Sequence, residues 1–157
     1  IGTVISEEAA KTVEQQINLT VEQGGKIVLG GHRNGAFVEP TIIADVPFEA
    51  DIMHDMEVFG PVMPITSFDD EEEALKLAND TMYGLGGSVF TKDMKKAMHF
   101  TNEFECGSVV INGSSYFRSF EMPFGGYKQS GLGTEGVYST FDELTTLKCI
   151  VLKGIME

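Results

Sequence analysis

Apolar runs and helical patterns alternate through the middle of the chain, and this alternation constrains the fold more than any other feature. Residues 62–68, 88–91 and 107–112 are short apolar runs of strand length. Between them, the acidic run at residues 69–73 and then Asp93 open two helical patterns. Strand, helix, strand, helix, strand at these lengths predicts βαβ crossovers and a parallel sheet. We therefore expect an α/β fold.

The segments on either side of this unit are less uniform. Ser6 is expected to cap a helix that ends near Glu22, because acidic residues follow Ser6 and apolar residues recur on one helical face. Two short extended segments come next. The stretch 113–139 is rich in glycine and mostly irregular, which is typical of functional loops when a compact domain keeps them. The alternating run at residues 145–152 predicts a final strand.

The net charge of the chain limits its partners. Its 157 residues include 11 basic and 24 acidic side chains, which gives a formal net charge of −13. Such a surface repels a phosphate backbone, so we expect no nucleic-acid partner. No apolar stretch approaches the roughly 20 residues of a membrane span, and the first residues do not resemble an export signal. We therefore expect a cytoplasmic protein without a membrane partner.

The cysteines and histidines show no pattern typical of a metal site. Cys106 and Cys149 lie far apart in the sequence, and the three histidines are scattered without ligand spacing. We expect neither a disulfide framework nor a bound metal. Both cysteines are interpreted as small core residues.

Two further patterns have alternative interpretations. Residues 131–136 match G-x-G-x-x-G, but a dinucleotide fingerprint needs a strand before it and an acidic residue about 20 positions later. A polar segment precedes this match and the next acids come too soon, so a turn-rich loop is favoured. The five acids at residues 69–73 suggest a metal cluster, but the helix macrodipole explains them better as a helix start.

Residues 57–62, with the sequence E-V-F-G-P-V, combine a carboxylate, an aromatic ring and a rigid Gly-Pro turn just before a buried strand. Such a turn fixes Glu57 and Phe59 at a strand edge, where they can meet a ligand. A carboxylate accepts two hydrogen bonds from a sugar diol, and a ring stacks against a flat heterocycle. Taken without further information, a surface glutamate and a core phenylalanine remain the favoured interpretation.

Four segments, in their order along the chain, resemble the aldehyde dehydrogenase superfamily. Residues 57–62 resemble its E-x-F-G-P-V element, 77–85 its L-A-N-x-T-x-Y-G-L turn, 107–112 its G-x-V-x-x-N strand, and 123–136 its P-F-G-G-x-K-x-S-G-x-G-x-E-G tail. The resemblance covers essentially the whole chain. It implies that residues 1–157 are the C-terminal portion of a catalytic domain with a three-layer α/β/α architecture and a largely parallel sheet.

The resemblance also implies roles for individual residues. Glu57 binds the nicotinamide ribose hydroxyls of NAD or NADP in this scheme, and Phe59 contacts the nicotinamide. The loop at residues 113–124 corresponds to the substrate-anchoring loop of the family, with Phe124 near the entrance tunnel. The segment 145–152 corresponds to a region that pairs between subunits, which implies a homodimer or homotetramer for the full-length enzyme.

The catalytic residues of the family are not expected in this chain. The nucleophilic cysteine of the family lies in a G-Q-x-C element far upstream of E-x-F-G-P-V, and the general-base glutamate and the Rossmann half are also absent. In the family, the thiolate attacks the aldehyde, hydride passes to NAD(P), and water releases the acid. We therefore expect an oxidoreductase fragment that is inactive alone. The alternative is a non-catalytic, truncated module that mediates subunit contacts.

Two departures from the family pattern bear on the substrate, a small aldehyde. Thr134 stands where members often have arginine, and the anchoring loop carries Arg118 where many members are apolar. We hypothesise that Arg118 faces the entrance and favours a polar or anionic aldehyde, such as a hydroxyaldehyde or a semialdehyde. An exposed, solvated Arg118 is an equally favoured alternative.

Overall fold

The computed structural model describes residues 1–154. The helices of the described residues are α1 (Glu7–Glu22), α2 (Glu71–Asn79), α3 (Met94–Glu103) and α4 (Val137–Leu144). The strands are β1 (Lys26–Leu29), β2 (Arg33–Asn34), β3 (Phe37–Val38), β4 (Thr41–Ala44), β5 (Val62–Pro64), β6 (Tyr83–Gly84), β7 (Gly86–Val89), β8 (Ser108–Ile111) and β9 (Tyr127–Lys128). The chain divides into two compact units, Ile1–Thr81 and Met82–Glu157. Within residues 1–154, no helix combines the length and the apolar character that crossing a membrane requires.

The first unit packs α1 against its strands. Ser6 caps α1 as predicted, since its hydroxyl accepts a hydrogen bond from the N–H of Ala9 at 3.1 Å. The main sheet has the order β1–β4–β5, in which β4 runs antiparallel to β1 and parallel to β5. The buried core consists of Ala10, Val13, Ile17, Val38, Ile43, Val46, Ala50 and Ile52. This core supports the segment that leads into β5, where Glu57 and Phe59 lie.

The acidic run before α2 acts as a helix start. Asp70 accepts a hydrogen bond from the N–H of Glu73 at 2.9 Å, and the Glu73 carboxylate accepts one from the N–H of Asp69 at 2.6 Å. These reciprocal bonds satisfy backbone N–H groups that the first turn of a helix leaves free. The helix-start interpretation of this run is therefore confirmed.

The second unit contains the predicted crossover. β7 and β8 pair in parallel, and α3 connects them. Asp93 caps α3, because its carboxylate accepts a hydrogen bond from the N–H of Lys95 at 2.8 Å. Gly87 in β7 lies against the ring of Phe104, and a Cβ at Gly87 would overlap that ring. The βαβ prediction is confirmed for β7, α3 and β8, but among the described residues β5 pairs only with β4, so the crossover predicted through α2 is not formed.

The α/β class is confirmed, and the sheets are smaller and more mixed than a largely parallel sheet. Two strand pairings are parallel, β4 with β5 and β7 with β8, whereas the pairings of β1 with β4, β2 with β3 and β6 with β9 are antiparallel. Each strand of the described residues has only one or two neighbours within this chain. A large sheet would need strands that this chain does not supply.

The stretch 113–139 is mostly irregular as predicted, with only β9 and the start of α4 at Val137 within it. Two other expectations for the C-terminal part need correction. Among the described residues, the segment 145–152 forms no strand, because no other strand of the chain pairs with it. Cys149 in this segment is exposed rather than a core residue, since nothing in the described chain covers it. Pairing of this segment between subunits stays a prediction.

Candidate functional site

Glu57 and Phe59 both face solvent at the corner that leads into β5. Phe59 is 82% exposed, and Glu57 is also exposed. Val58 lies between them in the sequence and packs against the buried core of the first unit. The chain therefore turns Val58 inward and both of its neighbours outward. The interpretation of Phe59 as a core residue is wrong.

Packing and hydrogen bonding fix the backbone of this corner. Phe59 has a φ of +47°, in the left-handed region that a residue with a side chain rarely adopts. A Cβ added to Gly60 would lie 2.7 Å from a methyl carbon of Val13, so glycine lets the corner approach α1 closely. The carbonyl of Pro61 accepts a hydrogen bond from the N–H of Thr41 at 2.8 Å. An exposed ring held on strained backbone is typical of a functional site.

The groups at this corner fit a nicotinamide nucleoside chemically. A carboxylate accepts hydrogen bonds from two neighbouring sugar hydroxyls, and an exposed aromatic ring presents a flat apolar face to a heterocycle. Within residues 1–154, the carboxylate of Glu57 makes no ion pair. The corner thus offers an available acceptor and an available ring, separated by one residue whose side chain is anchored in the core.

Arg118 and Phe124 contact each other directly in the second unit. The guanidinium carbon of Arg118 lies 3.4 Å from the centre of the Phe124 ring, which is a cation–π contact. The backbone of Phe124 exchanges two hydrogen bonds of 2.7 Å with Glu135. Arg118 is exposed and makes no ion pair among the described residues. The structure brings these two predicted site residues together in the second unit, whereas Glu57 and Phe59 belong to the first unit.

Two cavities of about 380 Å³ each share Arg118 and Phe124 as wall residues. The first is also lined by Ser119, Phe120, Met122, Glu135 and Gly136. The second is also lined by Leu85, Gly86, Ser108, Ser115 and Tyr116. The first cavity has Glu135 among its lining residues, whereas the described lining of the second contains no acidic residue and includes serines, whose hydroxyl groups can donate hydrogen bonds to an anion beside Arg118. An anionic group therefore fits the second cavity better.

Backbone contacts of the glycine-rich tail explain several of its glycines. The carbonyl of Gly125 fills the space beside Gly107, so a side chain at Gly107 has no room. The hydroxyl of Ser130 accepts a hydrogen bond from the N–H of Gly84 at 2.9 Å. The tail thus meets the chain just before β8 backbone to backbone at Gly107, where a Cβ has no room, and it meets β6 through the Ser130 hydroxyl. Because these segments lie far apart in the sequence, no sequence pattern predicted their contact.

Asn112 holds the start of the loop at residues 113–124, a role that the sequence did not single out. Its side-chain oxygen accepts a hydrogen bond from the N–H of Thr91, and its amide nitrogen donates one to the Thr91 carbonyl, each at 2.9 Å. The backbone of Asn112 has a φ of +56°, which asparagine tolerates better than most residues. An asparagine at the end of the predicted strand 107–112 was the available signal.

Cys106 lacks the environment of an activated nucleophile. Its thiol is buried and contacts the carbonyl of Ser108 at 3.2 Å. Burial raises the pKa of the Cys106 thiol, although backbone hydrogen bonds act in the opposite direction. Because the thiolate is the reactive form, a raised pKa makes this thiol a weak nucleophile. The interpretation of Cys106 as a small core residue is confirmed.

Comparison with known families and curated proteins gives a consistent result. Residues 1–150 match the aldehyde dehydrogenase family. A lactaldehyde dehydrogenase of Methanococcus maripaludis is 43% identical to this chain over 155 residues, which is 99% of this chain and 33% of that protein. This chain therefore spans about a third of the length of such curated relatives.

Solved structures resemble the chain over the same extent. Aldehyde dehydrogenase 21 from Physcomitrella patens, in complex with the reaction product succinate, gives a TM-score of 0.91 at 42% identity, covering 99% of this chain and 32% of that one. A glyceraldehyde-3-phosphate dehydrogenase from Methanocaldococcus jannaschii, complexed with NADP, gives a TM-score of 0.87 at 43% identity, covering 94% of this chain and 32% of that one. Both of these structures are therefore similar to this chain in sequence as well as in fold.

Proposed function

Because this chain belongs to the aldehyde dehydrogenase family, we propose that it is part of an enzyme that oxidises a small aldehyde to the carboxylic acid with NAD or NADP. The similar proteins support this, since each carries the name of a dehydrogenase that acts on an aldehyde. The chain spans about a third of the length of these relatives. The activity is therefore assigned to a longer protein in which this chain forms part of the catalytic domain.

The main support for the proposal is the corner that leads into β5, whose backbone is fixed and whose Glu57 and Phe59 side chains are exposed. We assign the Glu57 carboxylate to the ribose hydroxyls and the Phe59 ring to the nicotinamide. When it is bound, NAD or NADP accepts the hydride from the substrate. The contact of Gly60 with Val13 limits movement of the corner, so little ordering entropy is lost when the nucleotide binds. In the complete enzyme, the role of this chain is therefore to hold the nicotinamide ring, which accepts the hydride, in one orientation.

We assign Arg118 and Phe124 to the aldehyde. The Phe124 ring offers an apolar wall, and the guanidinium of Arg118 offers a positive charge that no carboxylate of the described residues neutralises. Lactaldehyde is a hydroxyaldehyde, succinate carries a second carboxylate, and glyceraldehyde 3-phosphate carries a phosphate. These names support a polar or anionic aldehyde as the substrate of the complete enzyme.

Formation of NADH or NADPH, followed by absorbance, tests the proposal. The complete enzyme that carries this chain is expected to reduce one of the two cofactors only when an aldehyde such as lactaldehyde or succinate semialdehyde is added. The 157-residue chain alone is expected to be inactive, because it spans about a third of the length of its relatives and the catalytic residues of the family are expected outside it. The proposal is contradicted if the chain alone oxidises an aldehyde, or if the complete enzyme is inactive with NAD and with NADP.

A second candidate function is that of a non-catalytic module for subunit assembly. Its support is the exposed C-terminal segment at residues 145–152. Leu147 is 101% exposed, and Ile150, Val151 and Leu152 are more than 70% exposed. Exposed apolar chain with unpaired backbone favours pairing with another strand. We propose that the complete enzyme is a homodimer or homotetramer assembled through this segment. Light scattering of the complete enzyme tests the proposed assembly, and a monomer contradicts it. An assembled protein that oxidises no aldehyde favours the non-catalytic assembly module instead.

A further inference from the structure

Glu143 lies near the end of α4, yet its carboxylate contacts the glycine-rich loop that precedes this helix. Its Oε1 accepts a hydrogen bond from the N–H of Thr134 at 2.8 Å. A Cβ built on Gly133 would lie 3.2 Å from the same oxygen, and Gly133 has a φ of +78°. The loop backbone thus approaches the carboxylate at a residue without a side chain, in a conformation that favours glycine.

This contact lies one residue from Glu135, which lines the first of the two cavities. Glu135 follows Thr134 and exchanges two backbone hydrogen bonds of 2.7 Å with Phe124. The Phe124 ring in turn carries the guanidinium of Arg118 at 3.4 Å. A continuous series of direct contacts therefore connects Glu143 to both residues that we assign to the aldehyde.

The helix that carries Glu143 has few other means of holding its place. Among the described residues, none of the eight residues of α4 is buried, and no side chain caps its N-terminus at Gly136. A helix this short is marginal without tertiary contacts. The hydrogen bond between Glu143 and Thr134 therefore fixes both partners: it ties α4 back to the loop, and it restrains the loop that supports Phe124.

We propose that Glu143 is a positioning residue, which holds residues 131–136 so that Phe124 and Arg118 keep their places beside the aldehyde. The inference rests on the proposed function, because it presumes that these two residues contact the substrate. It assigns to Glu143 no contact with the substrate or the cofactor. Its loss therefore weakens aldehyde binding and leaves cofactor binding unchanged.

The experiment compares three variants of the complete enzyme. Glu143→Ala removes the acceptor and is expected to raise the KM for the aldehyde about fivefold to tenfold, from the loss of one charge-assisted hydrogen bond. Glu143→Gln keeps an oxygen acceptor and is expected to stay within about twofold of the wild type, since it retains that bond. Asp142→Ala removes a neighbouring exposed charge on α4 and serves as the matched control. The kcat and the KM for NAD or NADP are expected to stay unchanged in all three.

Two outcomes overturn the inference while the proposed function stands. In the first, the wild-type enzyme oxidises aldehydes, but the Glu143→Ala variant has the same KM for the aldehyde as the Asp142→Ala variant. The other is a Glu143→Gln variant as impaired as Glu143→Ala. A wild type without aldehyde oxidation contradicts the proposed function instead. Hydrogen exchange in the wild type gives a test that needs no variant, because the Thr134 amide must be protected; exchange at the rate of a free amide also overturns the inference.

Discussion

Gly60 lies so close to Val13 of α1 that a Cβ added to it would be 2.7 Å from Cγ2 and 2.8 Å from Cγ1. Val13 is buried in the core of the first unit. Glycine at this position therefore lets the chain directly after Phe59 approach the helix closely, while the Phe59 side chain itself is 82% exposed.

Replacing Gly60 with alanine is expected to destabilise the complete enzyme by about 1–3 kcal/mol, because the added methyl group overpacks the contact with Val13. Gly60 has no positive φ, so the cost is steric rather than conformational. The displaced corner is also expected to raise the KM for NAD or NADP. Thermal unfolding and cofactor titration measure the two effects. Gly2→Ala is the control, since nothing lies within 4 Å of a Cβ at Gly2, and equal behaviour of the two variants contradicts the packing argument.

Replacing Glu57 with alanine is expected to raise the KM for NAD or NADP roughly tenfold or more, because hydrogen bonds to a charged group contribute about 1.5–3 kcal/mol. Steady-state kinetics with varied cofactor measures this, with saturating aldehyde. Glu49→Ala is a suitable control, because Glu49 is an exposed acid in the same unit. An unchanged dependence on cofactor concentration in Glu57→Ala would remove the role assigned to this carboxylate.

Replacing Arg118 with alanine is expected to lower the preference for an anionic over a neutral aldehyde by roughly tenfold to a hundredfold in kcat/KM, since the loss of a charged hydrogen-bonding partner costs about 1.5–3 kcal/mol. Succinate semialdehyde and a neutral aldehyde of similar length are the substrates to compare. Lys92→Ala removes an exposed positive charge elsewhere in the same unit and controls for net charge. If the preference is the same in Arg118→Ala and in the wild type, Arg118 is only a solvated side chain.

Cys106 predicts a pH dependence of stability. Burial raises the pKa of its thiol in the folded protein above the ordinary value of 9.0. Above pH 9.0 the unfolded chain loses this proton while the folded protein keeps it, so stability is retained below pH 9.0 and falls as the pH rises further. Urea unfolding at pH 7 and at about pH 10 measures this for the wild type and Cys106→Ala. The stability advantage of the wild type is expected to narrow at the higher pH, and a constant difference counts against the buried, protonated thiol.

Local sequence signals predicted the elements that depend on neighbouring residues. Ser6 and Asp93 cap helices as expected, because an N-cap needs only a side-chain oxygen and the N–H groups of the following turn. The crossover from β7 through α3 to β8 also follows from a pattern within one short segment. These predictions hold because the partners that stabilise each element lie close in sequence.

Features that depend on distant partners were not accessible in the same way. The segment 145–152 has a strand-like pattern, but a strand needs a hydrogen-bonding neighbour, and the described chain supplies none. Cys149 is exposed for the same reason. No local pattern predicts the left-handed backbone of Phe59 or the close packing of Gly60 against α1. The resemblance singled out Glu57 and Phe59 as cofactor contacts, which stays a prediction, whereas local chemistry alone favoured an ordinary surface acid and a core ring.

A crystal structure of the complete enzyme with bound NAD or NADP would show directly whether Glu57 and Phe59 hold the cofactor. We expect the Glu57 carboxylate to lie within about 3.2 Å of the nicotinamide ribose hydroxyls, as hydrogen bonding requires. We also expect the Phe59 ring to contact the nicotinamide. A bound nucleotide whose ribose hydroxyls are held by other residues, with Glu57 and Phe59 still facing solvent, would contradict this assignment.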